Sequence, residues 1–285
     1  MFVCDSPKIK RPIVLTRPKT ASPFRKSKSI QLSYERSLRG ISKEVGKLIK
    51  AFDPGRPSEV EKVKRSLSTY ADLIEPWAFW VVRRLLYDLN RQDQKSWKKM
   101  TANFTEALQK EVEDTPIGST ISQLMLENVT LIKSIPLQAG QRVHDLVQKN
   151  LFKGQRAGWL ANEILKTESV TRSRATLIAR TEVARATSTL TEARSLHIGA
   201  ETYIWRTSED GTVRISHREM NGREFRWDSP PTLSDGTTTH PGMIYNCRCY
   251  PEPVVPEGAV IYSIGGKKKG DKIIITPDLV NASGF

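Results

Sequence analysis

From residue 33 to residue 197 apolar side chains recur at helical spacing. Within 33–52, Leu38, Ile41, Val45, Leu48 and Ile49 share one face. The stretch Asp53-Pro-Gly-Arg-Pro then breaks the chain. Ser58, with Glu61 three residues later, is a capping box that opens a second helix running toward Leu73. Pro76 lies near the start of a third, whose wide apolar face holds Trp77, Trp80, Val81, Leu85 and Leu86. Residues 96–112 continue it through Trp97, Met100, Phe104 and Leu108. An apolar stretch from Ile121 to Ile135 ends at Pro136. Residues 141–151 come next, with Val143, Leu146, Val147 and Leu151, before Gly154 stops the helix. Trp159, Leu160, Ile164 and Leu165 form a short helix face, and residues 167–170 a turn. From Thr171 a longer helix carries Ala175, Ile178, Ala179, Val183, Ala186, Leu190 and Ala193, at the separations that a period of about 3.6 demands. Aromatic and leucine stripes at this spacing are core positions. The region holds no Gly-rich phosphate loop and no paired carboxylates, so it reads as a helical scaffold or docking module.

The texture changes at Glu201. Thr202-Tyr-Ile-Trp-Arg is a strand pattern, Glu209-Asp-Gly a turn, and Thr212-Val-Arg-Ile a second strand, which together predict a β-hairpin. Asn221-Gly222, Pro230-Pro231, Asp235-Gly236 and Pro241-Gly242 punctuate the stretch from there to residue 242. Two β-rich runs at 260–263 and 272–276, separated by a basic Gly-rich tip, predict a terminal hairpin or an arm that adds a strand to a neighbour.

Composition divides the chain. Residues 1–30 hold eight Lys or Arg, four Pro and one acidic residue, which predicts a disordered basic arm, either solvated or touching a polyanion. A helical docking region is expected over 31–117. An α+β domain is expected over 118–255, with helices at 118–197 and a β-rich part at 201–255, and a hairpin or tail covers 256–285. The formal charge of +14 points first to nucleic acid, then to an acidic protein surface, then to a membrane surface. The densest apolar run, Trp77 to Val82, is far short of the ~20 residues of a spanning helix. Asp5 and the Lys, Arg and Pro after it do not suit a signal peptide, so a cytosolic setting is expected. Cys4, Cys247 and Cys249 do not make a disulfide framework.

Two groups of residues are chemically suggestive. His217, His240, Cys247 and Cys249 offer two imidazoles and two thiolates, a set that suits tetrahedral zinc in a small loop-rich subdomain. The competing reading is ordinary packing, with the cysteines as small buried hydrophobes. Arg172, Arg174, Arg180 and Arg185 lie on the second helix of a helix-turn-helix-like pair and could meet DNA phosphates, although two packed helices with a solvated basic face explain them equally well. His217 with Cys247, or a histidine with Asn246, could be written as a metal-dependent nuclease, but no third orienting group accompanies either pair.

Four stretches, in order, resemble the phage Mu F-like head morphogenesis family. They are the arginine-bearing helix Ile178-Ala-Arg-Thr-Glu-Val-Ala-Arg-Ala, the segment from Trp205 to an Arg-x-x-His element at Arg214 and His217, Asn221-Gly222, and His240-Pro-Gly-Met-Ile-Tyr-Asn-Cys-Arg-Cys. The resemblance covers about residues 120–255. It implies an α+β fold in which a mostly helical N-terminal region precedes a small Mu F-like domain. It also implies a non-enzymatic minor head protein of a tailed phage. Its expected place is the capsid interior or portal vertex, with several copies per virion. Portal, capsid or scaffolding proteins and double-stranded DNA are the expected partners. A nucleic-acid-binding module or a nuclease using the His/Cys cluster is the alternative.

Overall fold

The computed structural model describes residues 22–53, 56, 59–102, 106–154 and 156–255. Cys4, the arm before residue 22, the Ser58 cap, Phe104 and the terminal hairpin of 256–285 lie outside the described residues.

Among the described residues eight helices and three strands run in the order α1 (Lys28–Lys50), α2 (Val60–Leu73), α3 (Glu75–Met100), α4 (Glu106–Glu113), α5 (Gly118–Lys153), α6 (Ala157–Leu165), α7 (Thr167–His197), β1 (Thr202–Arg206), α8 (Ile215–Arg218), β2 (Glu224–Arg226) and β3 (Tyr250–Val254). The expected α+β class, helical first and β-rich last, is what the chain adopts.

One apolar core runs through α1, α2, α3, α5, α6 and α7, so the boundary expected near residue 118 falls inside a continuous core. The face anticipated on α1 is buried at Leu38, Ile41, Val45 and Ile49. Ser27 caps that helix by accepting from the Ile30 N–H at 3.4 Å. Gly140 of α5 faces α2, where an added Cβ would make ordinary van der Waals contact with Leu67 at 3.7 Å.

The structure corrects several expectations. Residues 22–30 are packed, not disordered: Phe24 is buried edge-on against Trp97 at 5.3 Å, and Ser96 Oγ donates to the Pro23 carbonyl at 2.7 Å. A single aromatic anchor supplies the burial that the surrounding charge concealed. Pro136 does not end its helix. It is buried inside α5, flanked by buried Ile132, Ile135, Ala139 and Val143, and that packing offsets the lost backbone hydrogen bond, which costs ~3 kcal/mol or more. The expected turn at 167–170 is the first turn of α7, and Lys166 alone separates α6 from α7. Trp77 and Trp80 are not core: Trp80 is 67% exposed with Arg83 stacked 5.2 Å from its ring centroid. The buried stripe of α3 runs instead through Ala78, Val82, Leu85, Leu86 and Leu89.

The sheet has the order β2-β1-β3 and is antiparallel throughout. Tyr203 of central β1 lies opposite Phe225 of β2 and Pro253 of β3. Prolines 251 and 253 are tolerated because β3 is an edge strand. The hairpin expected between β1 and residues 212–215 is absent. Asp210 accepts from the Thr212 N–H at 3.1 Å and its carbonyl from the Val213 N–H at 3.3 Å. That turn redirects the chain into α8, so β1 pairs with strands further along. The inner face of the sheet closes a small core of Tyr203, Trp205, Val213, Met220, Trp227, Leu233, Cys247 and Cys249. A third cluster, which includes Phe24, Trp97, Ile198 and Tyr250, joins this part to the helices.

Candidate metal and anion site

The site lies where two long excursions from the sheet return to it. The first, between β1 and β2, delivers His217 on α8. The second, between β2 and β3, delivers Cys247 and Cys249 just before β3. Gly242 and Asn246 shape the second, at φ +87° and +57°, in the left-handed region that glycine and asparagine tolerate best. The Asn246 N–H donates to Thr181 Oγ1 at 3.1 Å, and Ser188 Oγ donates to the Pro241 carbonyl at 2.9 Å. Both contacts pin the loop to α7.

His217, Cys247 and Cys249 are brought together and buried, with one ligand atom of each within 4.8 Å of the others. His217 Nδ1 lies 3.4 Å from Cys249 Sγ and 3.5 Å from Cys247 Sγ. The Gly242 N–H donates to Cys247 Sγ at 3.3 Å. Trp205 closes the pocket edge-on against the His217 ring at 5.4 Å, and His217 Nε2 is buried without a partner among the described residues. The two sulfurs titrate in opposite directions. Cys247 is held well below the usual thiol range because Cys249 donates a hydrogen bond to it, and Cys249 is pushed up by that same bond and by burial.

His240 is not part of this group. Its Nδ1 shares a 2.8 Å hydrogen bond with the Tyr203 hydroxyl, and its ring packs against Tyr203 and Trp227. Burial lowers its pKa, with the Trp227 backbone opposing. It serves as a packed, hydrogen-bonded side chain.

The four arginines singled out on α7 are dispersed. Arg172 pairs with Glu168 at 3.4 Å. Arg174 donates to Ser134 Oγ at 3.0 Å. Arg185 is held between Glu127 and Glu182. Arg180 is exposed and lines a cleft of ≈ 700 Å³ beside the His/Cys group. The helix-turn-helix expectation meets an obstacle in packing. α7 is enclosed by α1, α3, α5, α6 and β3, so it has no long free face to lay in a groove.

Cleft residues other than Arg180 come from distant segments: Arg25, Lys26, Lys28, Arg214 and Arg248, with Asp210 as the acidic member. Lys26 Nζ donates to the Cys247 carbonyl at 3.3 Å, and burial lowers its pKa to about 8. Arg214 stacks 4.9 Å from the Tyr245 ring centroid, and Arg248 pairs with Asp210 at 2.7 Å. The floor of the cleft is His217, Cys247 and Cys249. A cationic surface therefore surrounds a buried set of soft donors, a place suited to an anion above and a soft metal beneath.

Residues 141–251 match the family described as Phage Mu protein F like protein. A protein of Haemophilus influenzae described as uncharacterized is 35% identical over 139 residues, which is 49% of this chain and 30% of that protein. The chain thus spans under a third of that relative's length. No solved structure matches.

Proposed function

We propose, from the match of residues 141–251 to the Phage Mu protein F like family, that this chain serves phage head morphogenesis as a minor head protein, at the capsid interior or portal vertex, in contact with packaged DNA. The family match carries this reading. It lies within the residues 120–255 that the motifs marked, and it includes most of the α7–β3 part that builds the cleft. A structural role in virion assembly is favoured over an enzymatic one, and it implies association with the virion.

Two surfaces support the assignment. Leu73, Trp77, Trp80 and Tyr87 recur at helical spacing from the end of α2 along α3, and all four are exposed. An aromatic stripe of this kind, beside Arg83 and Arg84, suits docking on a portal, capsid or scaffolding protein. The cleft supplies the cations for phosphate. Among the described residues no helix is long and apolar enough to cross a membrane.

The test is co-sedimentation of the protein with procapsids from phage-infected or induced cells. The expected result is a few copies per particle, lost in a Trp77→Ser, Trp80→Ser variant that still folds. Absence from particles at every assembly stage would refute the proposal.

A further inference from the structure

We infer that His217 Nδ1, Cys247 Sγ and Cys249 Sγ hold a zinc ion whose fourth position opens into the basic cleft and takes water or a phosphate-class oxyanion. The distances are those of a coordination sphere. Zinc bonds of about 2.3 Å to sulfur and about 2.0–2.1 Å to nitrogen, at tetrahedral angles, separate nitrogen from sulfur by about 3.6 Å. Here His217 Nδ1 is 3.5 Å from one sulfur and 3.4 Å from the other. Nδ1 carries either one proton or one lone pair, so it cannot make two good hydrogen bonds to the two sulfurs. One ion placed between the three atoms satisfies all of them at once.

The surroundings agree. The Gly242 N–H aimed at Cys247 Sγ stabilises thiolate charge, as backbone donors do around metal-bound sulfur. Two thiolates cancel the charge of a divalent ion, which makes the buried group neutral beside Lys26 and Arg214. Two thiolates and an imidazole are soft to borderline donors that select zinc over calcium or magnesium. The fold also needs a tie at this point. The sheet has strands of five, three and five residues, and the long excursions on either side of β2 contribute little regular structure. Joining α8 to the loop before β3 fastens both excursions with one group.

The donor count leaves the fourth position open. Among the described residues the group has three members, and His240, the residue that sequence alone would offer as a fourth, is held by Tyr203. All three ligands line the cleft, so the remaining vertex meets its solvent and its cations. Three protein ligands with an exchangeable fourth is the open type of zinc site.

The experiment uses the full chain purified in reducing, chelator-free buffer. Elemental analysis should find stoichiometric zinc, retained in His240→Ala and in Cys4→Ser, and lost in Cys247→Ser and in His217→Ala. The parent protein supplies a readout that does not depend on variants folding: its two buried thiols should resist alkylation until a chelator is added. After cobalt exchange, the charge-transfer intensity should correspond to two thiolates. Inorganic phosphate should then shift the ligand-field bands, and Arg180→Gln should weaken that shift without lowering metal content. Folded parent protein free of zinc, or zinc retained by a Cys247→Ser, Cys249→Ser protein, would overturn the site. A three-thiolate spectrum that ignores phosphate would overturn the open position. Metal content is read separately from particle association, so failure here and failure of the assembly role are distinguishable.

Discussion

Replacing Arg194 by Met should destabilise the protein by about 3–5 kcal/mol at neutral pH, the usual cost of leaving one member of a buried ion pair behind. Arg194 of α7 is 1% exposed and Asp93 of α3 is 3% exposed. Arg194 Nη1 donates to Asp93 Oδ2, and Arg194 Nη2 donates to Asn90 Oδ1 at 2.5 Å. Thr191 Oγ1 donates to Asp93 Oδ1 at 2.7 Å. In the variant the carboxylate keeps only the threonine. At about 2–4 °C per kcal/mol for a domain of this size, the midpoint should fall by roughly 6–20 °C. Burial already raises the Asp93 pKa against the pull of Arg194, and removing the arginine raises it further. A carboxyl raised in the folded state stabilises fully below its unfolded pKa of about 3.9, and that contribution is lost as pH rises through the folded value. The deficit of Arg194→Met relative to the parent should therefore be largest at pH 7 and shrink toward pH 5. Asp93→Leu with Arg194→Met should recover most of the loss, because no charge is left buried. Urea unfolding followed by circular dichroism at both pH values measures all three proteins. Three results would each refute the buried-pair account: Arg194→Met within about 1 kcal/mol of the parent, a deficit that grows on acidification, or a double variant no better than the single one.

Other substitutions test the loop, the sheet and the cleft. In Gly242→Ala the new Cβ would run into Ser188 Oγ and lie 3.2 Å from the Ala184 carbonyl oxygen at φ +87°; a loss of at least about 1–3 kcal/mol should appear in thermal unfolding. His240 is depressed by burial, so its stabilising contribution is present above its unfolded pKa of about 6.5 and is lost as pH falls through the lower folded value. His240→Gln should flatten that acid-side slope in a stability-versus-pH series, and an unchanged slope would assign the sensitivity elsewhere. If the cleft contacts DNA phosphates, Arg180→Gln should reduce the slope of log affinity against log salt by about 1, whereas Arg185→Gln should leave it unchanged, because Arg185 is occupied by Glu127 and Glu182. Filter binding at several salt concentrations reads this directly.

Helix positions were legible because their cause is local. The spacing of Leu38, Ile41, Val45 and Ile49 predicts α1, and Gly154, at φ +60°, caps α5 where the sequence places a stop. The same locality explains the misreadings. Periodicity says that α3 has an apolar face but not which residues its neighbours cover, so Trp80 reads as core and stands in solvent. Pro136 breaks a helix only where packing does not hold both sides, and here buried neighbours hold it. The run at 212–215 has strand propensity, yet β1 finds its partners at 224–226 and 250–254, because pairing rewards burial of Tyr203 and Trp205 over nearness in sequence.

The site divides in the same way. Donor chemistry was readable from sequence: thiols two residues apart and histidines within reach of a loop-rich β region. Sequence alone determined the class of fold, the Mu F-like motifs and the kinds of atoms available to a ligand. Tertiary structure decided which atoms meet. It selected His217 and turned His240 to Tyr203, separated Arg180 from Arg185, and brought Lys26 to the Cys247 carbonyl across 221 positions of chain. The reason is physical. Residue type and spacing act within a few residues, whereas a buried donor cluster and a cationic cleft exist only once α7, the two excursions and the segment before α1 pack against one another.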